Sequence, residues 1–189
     1  NPAFKKSNIR TFHKKIKKDN KKVSFLNVGR LTDQKNQIII LKALNKINNL
    51  NFKLTIVGNG SEERNLKNYI SLNNLHNKVK IIKNISDATK YMERCDVFIL
   101  SSKFEGLPNV LIEAQIMKKF IISSNCPTGP KEILINGKAG YLYRNDDCED
   151  LKNKIQKFIS KKNSNEIKKK IKIGYEKLYR FDEIKNLNL

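Results

Sequence analysis

Two glutamates, Glu105 and Glu113, have seven residues between them, beginning with Gly106-Leu107-Pro108-Asn109-Val110. Gly106 and Pro108 force a tight turn there, and Asn109 is suited to capping a helix that starts after it. The helix would then point its free N–H groups at the loop, which makes an anion site suited to a phosphate. Glu105 sits in the loop before the turn. Glu113 sits about one turn inside the helix, among Val110, Leu111, Ile112 and Ala114. A carboxylate in so apolar a stretch is costly unless it accepts hydrogen bonds, and sugar or ribose hydroxyls can supply them. The plainer reading of Glu113, an exposed residue on an amphipathic helix, fits poorly with apolar neighbours on both sides.

A second group is Gly29-Arg30-Leu31-Thr32-Asp33-Gln34-Lys35-Asn36. Gly29 closes an apolar run, and Arg30 and Lys35 share the loop that follows. An arginine fork and a lysine point charge are what a diphosphate needs to neutralise its oxygens. Lys35 alone reads equally well as a solvated loop residue, whereas Arg30 is one of only six arginines. Gly58-Asn59-Gly60 either brings backbone close to a ligand or makes a plain turn. It lacks the third glycine of a dinucleotide motif. Asn125-Cys126-Pro127-Thr128-Gly129-Pro130 reads as a rigid loop able to wall a site. Cys126 has no nucleophilic role in this reading, because His13 and His76 are both far from it in sequence.

These loops need strands and helices to hold them. Val23 to Gly29, Phe52 to Gly58, Val79 to Ile82, Val97 to Leu100 and Phe120 to Ser124 are continuous apolar runs, as buried strands are. Helical patterns lie between them, over Ile38 to Ile47, Ser61 to about Asn73, a short stretch after Asp87, and Val110 to Met117. Two more cover Asp147 to Ser160 and Asn165 to Tyr175. This alternation predicts an α/β fold, a Rossmann-like doubly wound parallel sheet with ligands at the carboxyl ends of its strands. All the loops singled out above fall at such ends. Residues 1–22 read as a linker and basic segment, 23–160 as the ligand-binding domain, and 161–189 as a C-terminal helical segment.

The chain has 189 residues and a net charge of +21, from 39 Lys and Arg against 18 Asp and Glu. Thirty-three of those cations are Lys, beside 25 Asn and 24 Ile, a bias toward A- and T-rich codons that explains much of the excess. Base-reading arginine forks and aromatic platforms are missing, so no nucleic-acid partner is expected. The strip Lys14 to Lys22 allows peripheral contact with an anionic membrane. No apolar run approaches the roughly 20 residues of a membrane span, and no signal peptide is visible. Three scattered cysteines without a CxxC argue for reduced thiols and a cytoplasmic setting.

Taken together, GRLTDQKN, VGNG, FEGLPNVLIEA and SNCPTGPKEIL resemble the family-4 retaining glycosyltransferases, from about Val23 to Ile159. The CPTGP loop resembles those that build bacterial surface polysaccharides or lipid-linked oligosaccharides. The resemblance implies one half of a GT-B fold, the C-terminal donor-binding domain. Asn1-Pro2 would belong to the interdomain linker, and the acceptor domain of the same protein would be a partner missing from this chain. It implies a nucleotide-sugar donor, most simply a UDP-sugar, a glycan or lipid-linked acceptor, and no required cofactor or metal. It implies that Arg30 and Lys35 hold the diphosphate, that Glu105 bonds hydroxyls of the transferred sugar, and that Glu113 bonds the ribose. Glu105, Arg30 and Lys35 would be the catalytic groups. The backbone of Gly106, Leu107, Pro108, Asn109 and Val110 would cradle the phosphates. Gly29, Gly58, Asn59, Gly60 and Lys83 would line the nucleotide, although Lys83-Asn84 stands where relatives often have a glycine. Two other readings remain open: a module of related fold that binds a nucleotide or phosphosugar without transfer, and a basic Rossmann-like nucleic-acid binder. Both glutamates are needed by a sugar-nucleotide site, whereas they would weaken a nucleic-acid groove.

Overall fold

A computed structural model describes residues 22–187 apart from Ser86, with side chains as far as Leu178. The linker reading of residues 1–22, His13 and all of the basic strip but Lys22 lie outside the described residues. The strands are β1 (Val23–Val28), β2 (Phe52–Val57), β3 (Val79–Ile82), β4 (Val97–Leu100), β5 (Phe120–Ser124) and β6 (Tyr141–Tyr143). They form one six-stranded sheet in the order β3-β2-β1-β4-β5-β6, and every pairing is parallel. The helices are α1 (Gln37–Asn45), α2 (Glu63–Leu72), α3 (Thr89–Arg94), α4 (Asn109–Ile116), α5 (Pro130–Ile133), α6 (Cys148–Lys161) and α7 (Asn165–Leu187). The expected doubly wound α/β sheet is present.

Unbroken apolar strands follow from burial on both faces. Along β4, Val97 and Ile99 enter one core, with α1, α2 and α6 above them. Phe98 and Leu100 enter the other, against Met92 of α3, Leu111 and Ala114 of α4, and Ile133 of α5. Each such side chain contributes about 1.5–3 kcal/mol of hydrophobic stabilisation. Asp147 caps α6 by accepting from the Asp150 N–H at 2.8 Å. Gly174 of α7 lies where an added Cβ would come within 2.9 Å of Gln115, which seats α7 on α4.

Three local expectations need correction. Strand β6 and helix α5 were not foreseen, because three and four residues are too few to show a period. Helix α2 begins at Glu63, two residues after the expected start at Ser61. Asn109 is the first residue of α4, and Pro108 occupies the cap position without a side-chain bond.

The strand order reverses direction between β1 and β4. A parallel sheet opens a crevice at such a switch point, outside the carboxyl ends of its strands. Asn27 ties the two strands there, its Nδ2 donating to the Ile99 carbonyl at 2.9 Å.

Candidate active site

The loops after β1 and β4 meet at the switch point through side chains about 70 residues apart. Lys35 Nζ lies 2.6 Å from Glu105 Oε1, with side chains only 19% and 7% exposed. The Ser102 hydroxyl donates to the same Oε1 at 2.5 Å. The Ser101 hydroxyl donates to the Lys35 carbonyl at 2.7 Å, and the Ser124 hydroxyl of β5 donates to the Ser102 carbonyl at 2.7 Å. Both partners of the ion pair are therefore fixed, and Glu105 Oε2 has no partner among the described residues.

Arg30 contrasts with Lys35. Its backbone is pinned, because its carbonyl accepts from Gln37 Nε2 at 2.9 Å and from the Thr32 N–H at 3.0 Å. Its side chain is exposed, and no carboxylate among the described residues pairs with the guanidinium. It is an exposed cation on a pinned backbone.

Helix α4 rises from the loop that carries Glu105. The Asn109 N–H donates to the Leu107 carbonyl and the Leu111 N–H to the Pro108 carbonyl, both at 2.9 Å. The N–H groups of Gly106, Leu107 and Val110 meet no acceptor among the described residues. Three backbone donors are thus left without an acceptor in the turn at the positive end of α4. Glu113 is half-buried on α4, and its carboxylate has no hydrogen-bond partner among the described residues. Burial first, and then the charge of Asp87, hold its carboxyl above the usual range.

The paired glycines have a job inside the protein. A Cβ at Gly58 would lie 1.9 Å from the Gly29 carbonyl oxygen, and one at Gly60 would lie 2.1 Å from that of Leu31. The Leu31 N–H donates to the Asn59 carbonyl at 2.8 Å. Gly58, Asn59 and Gly60 therefore pack the β2 loop onto the β1 loop that holds Arg30. Asn59 and Asn84 bond each other side chain to side chain at 3.1 Å, and Asn84 takes a left-handed φ of 54°. Asparagine tolerates that conformation better than most residues. Lys83 lies 3.2 Å from Glu63 and remains half-exposed at the rim.

The loop after β5 supports the turn. Gly129 has φ 90°, and a Cβ there would meet Pro108 Cδ at 2.5 Å and the Gly106 carbonyl oxygen at 2.7 Å. Burial pushes the Cys126 thiol up, so it stays protonated at neutral pH and is a poor nucleophile. Four polar residues with no individual role in the sequence reading also frame these loops: Gln34 and Thr128, inside motifs singled out above, and Gln37 and Asn145, outside them. Among the described residues no group of three or more His, Cys, Asp or Glu could hold a metal ion. A groove of about 1130 Å³ opens at the opposite, amino edge of the sheet and includes none of these residues.

The family of Glycosyl transferases group 1 matches residues 8–175. The chain belongs to this family. It is 36% identical over 126 residues to the uncharacterized glycosyltransferase MJ1059 of Methanocaldococcus jannaschii, covering 63% of this chain and 31% of that protein. It is 31% identical over 122 residues to the N-acetylgalactosamine-N,N'-diacetylbacillosaminyl-diphospho-undecaprenol 4-alpha-N-acetylgalactosaminyltransferase of Campylobacter jejuni, covering 65% of this chain and 33% of that one. The fold matches that of Anabaena Alr3699/HepE, solved in complex with UDP, with a TM-score of 0.75 at 22% identity, over 82% of this chain and 43% of that one. The chain thus spans about a third of the length of the curated relatives it matches.

Burial of the Glu113 carboxyl costs this chain stability once it ionises. Its pKa is higher in the folded chain than in the unfolded one, so ionisation opposes folding as pH rises through the ordinary glutamate range near 4.3. Glu113→Gln is expected to raise the melting temperature at pH 7 by a degree or two (roughly). The gain should vanish below pH ~4, where both states are protonated. Thermal melts at pH 7 and pH 3.5 check this; an equal gain at both would remove the charge explanation.

Proposed function

We propose that this chain is the donor-binding half of a retaining glycosyltransferase that takes a nucleotide sugar, most simply a UDP-sugar. The sugar transferred would be a hexose or N-acetylhexosamine, and the acceptor a glycan or lipid-linked glycan held by a further domain of the same protein. The observation that carries the reading is one arrangement at the switch point. Among the described residues, an unpaired Arg30 guanidinium, free N–H groups at the start of α4, a fixed Lys35–Glu105 pair and an unpartnered Glu113 carboxylate all lie in or just after loops at the carboxyl ends of the strands. The UDP in the Anabaena structure and the lipid-linked substrate in the Campylobacter enzyme's name lend support.

In this reading the Arg30 fork and the N–H groups of Gly106, Leu107 and Val110 bind the diphosphate. Glu113 accepts from the ribose hydroxyls and is thereby relieved of its unmet burial. Glu105 accepts from sugar hydroxyls through Oε2, while Lys35 and Ser102 keep Oε1. The bond that breaks joins the anomeric carbon to the β-phosphate oxygen. Negative charge grows on that oxygen, and Arg30 and Lys35 stabilise it in place of a metal. The acceptor hydroxyl attacks the anomeric carbon, and its proton passes to the departing phosphate. No helix among the described residues is long and apolar enough to cross a membrane.

UDP should raise the melting temperature more than GDP or ADP, and the effect should survive EDTA. Thermal-shift titrations with the three nucleotides and their sugars test this. No shift with any of them would end the reading, and a shift lost on chelation would replace the metal-free part of it.

A further inference from the structure

Three consecutive carbonyls before the α4 turn are each held by a side chain from a different loop. Asn145, after β6, donates its Nδ2 to the Lys103 carbonyl at 2.7 Å. Gln34, after β1, donates its Nε2 to the Phe104 carbonyl at 3.0 Å. Thr128, after β5, donates its hydroxyl to the Glu105 carbonyl. The Pro127 carbonyl, 2.8 Å away, competes for the one hydroxyl hydrogen, but the Glu105 carbonyl is nearer. Peptide units are planar and trans, so fixing a carbonyl also fixes the N–H that follows it, pointing the opposite way. Gln34 and Thr128 grip the two peptides that flank the Glu105 Cα. Together they set the direction of its Cα–Cβ bond and of the Gly106 N–H.

Thr128 also adopts φ 58°, a left-handed conformation uncommon for a β-branched residue. Its neighbour Gly129 packs against Pro108 and the Gly106 carbonyl. Such a backbone persists where its surroundings over-determine it, and here they bring the hydroxyl to the Glu105 carbonyl.

We propose that Thr128, with Gln34 on the other side, is a positioning residue for the donor. It aims the Gly106 N–H at the diphosphate and the Glu105 carboxylate at the sugar without touching either. This rests on the donor-site reading above. It assigns work to the CPTGP loop that neither charge nor nucleophilicity would suggest.

The test compares Thr128→Val, which keeps the shape and loses the hydroxyl, with Thr128→Ser, which keeps the hydroxyl. UDP, UDP-glucose and uridine are titrated into the 189-residue chain and followed by calorimetry or ligand-observed NMR. Thr128→Val should bind UDP and UDP-glucose roughly five- to tenfold more weakly, the worth of one aimed hydrogen bond. It should bind uridine as the wild type does, and Thr128→Ser should match the wild type for all three. Equal weakening toward uridine, a Ser variant as weak as the Val variant, or unchanged UDP affinity in Thr128→Val would overturn the proposal. If Thr128→Val does not fold, Thr128→Ala takes its place, and misfolding of both would make the residue structural and end the proposal. Wild-type chain that binds none of the three ligands ends the donor-site reading itself, and this inference with it.

Discussion

Gly58→Ala should lower the melting temperature by about 6–12 °C, the result of roughly 3 kcal/mol of overpacking in a chain of this length. The added methyl would lie 1.9 Å from the Gly29 carbonyl oxygen and 2.9 Å from its carbon. Both are backbone atoms, so no side chain can swing aside. Neither strand end can retreat, because the Gly29 N–H is bonded to the Val57 carbonyl and the Gly58 N–H to the Ile82 carbonyl, each at 2.9 Å. Gly106→Ala is the control, since a Cβ there meets nothing within 4 Å. Circular-dichroism melts of the two variants decide it. A Gly58→Ala protein melting within about 2 °C of the wild type would mean that the two loops do not approach as described.

Arg30→Ala should leave the melting temperature unchanged and weaken UDP binding by about 1.5–3 kcal/mol, more than tenfold, as expected for loss of a charge-assisted pair. Stability is spared because the side chain is exposed and pairs with no carboxylate among the described residues. Arg30→Lys should recover only part of the affinity, because an ammonium cannot reproduce the planar fork. Calorimetry at fixed ionic strength measures both. Unchanged affinity in Arg30→Ala would remove the guanidinium from the diphosphate and with it the central electrostatic contact of the site.

The sheet was legible because its strands are buried on both faces, so Val97 to Leu100 and Phe120 to Ser124 stand out as unbroken runs. Tyr141 to Tyr143 did not stand out, since three residues carry no pattern and the strand is defined only by its pairing with β5. The Lys35–Glu105 pair at the switch point was legible only in part: Glu105 stands out beside a Gly-Pro turn, whereas Lys35 alone reads equally well as a solvated loop residue. The glycines of the β2 loop were visible, but their reason was not, because the atom each would strike belongs to another loop. The neutral side chains that grip the Glu105 segment were invisible for a different reason. Among 25 asparagines, Asn145 looks like any solvated residue, and only tertiary contact distinguishes it. The cap of α4 was misjudged because Asn is a frequent cap in general. Here Pro108 already sets the entry of the chain into the helix.

The crossover that places β1 beside β4 also bears on how the molecule folds. Lys35 with Glu105, Gln34 with Phe104 and Asp33 with Lys103 are each joined across 70 residues of chain. The entropy of closing so long a loop must be met before any of these bonds can form. Everything before β4 can be synthesised and can pair locally as β1, β2 and β3, setting the Arg30 loop but leaving Lys35 without Glu105. Ligand affinity would therefore be an all-or-none property of the finished sheet, and bound nucleotide a late reporter of refolding, silent until the two halves have joined.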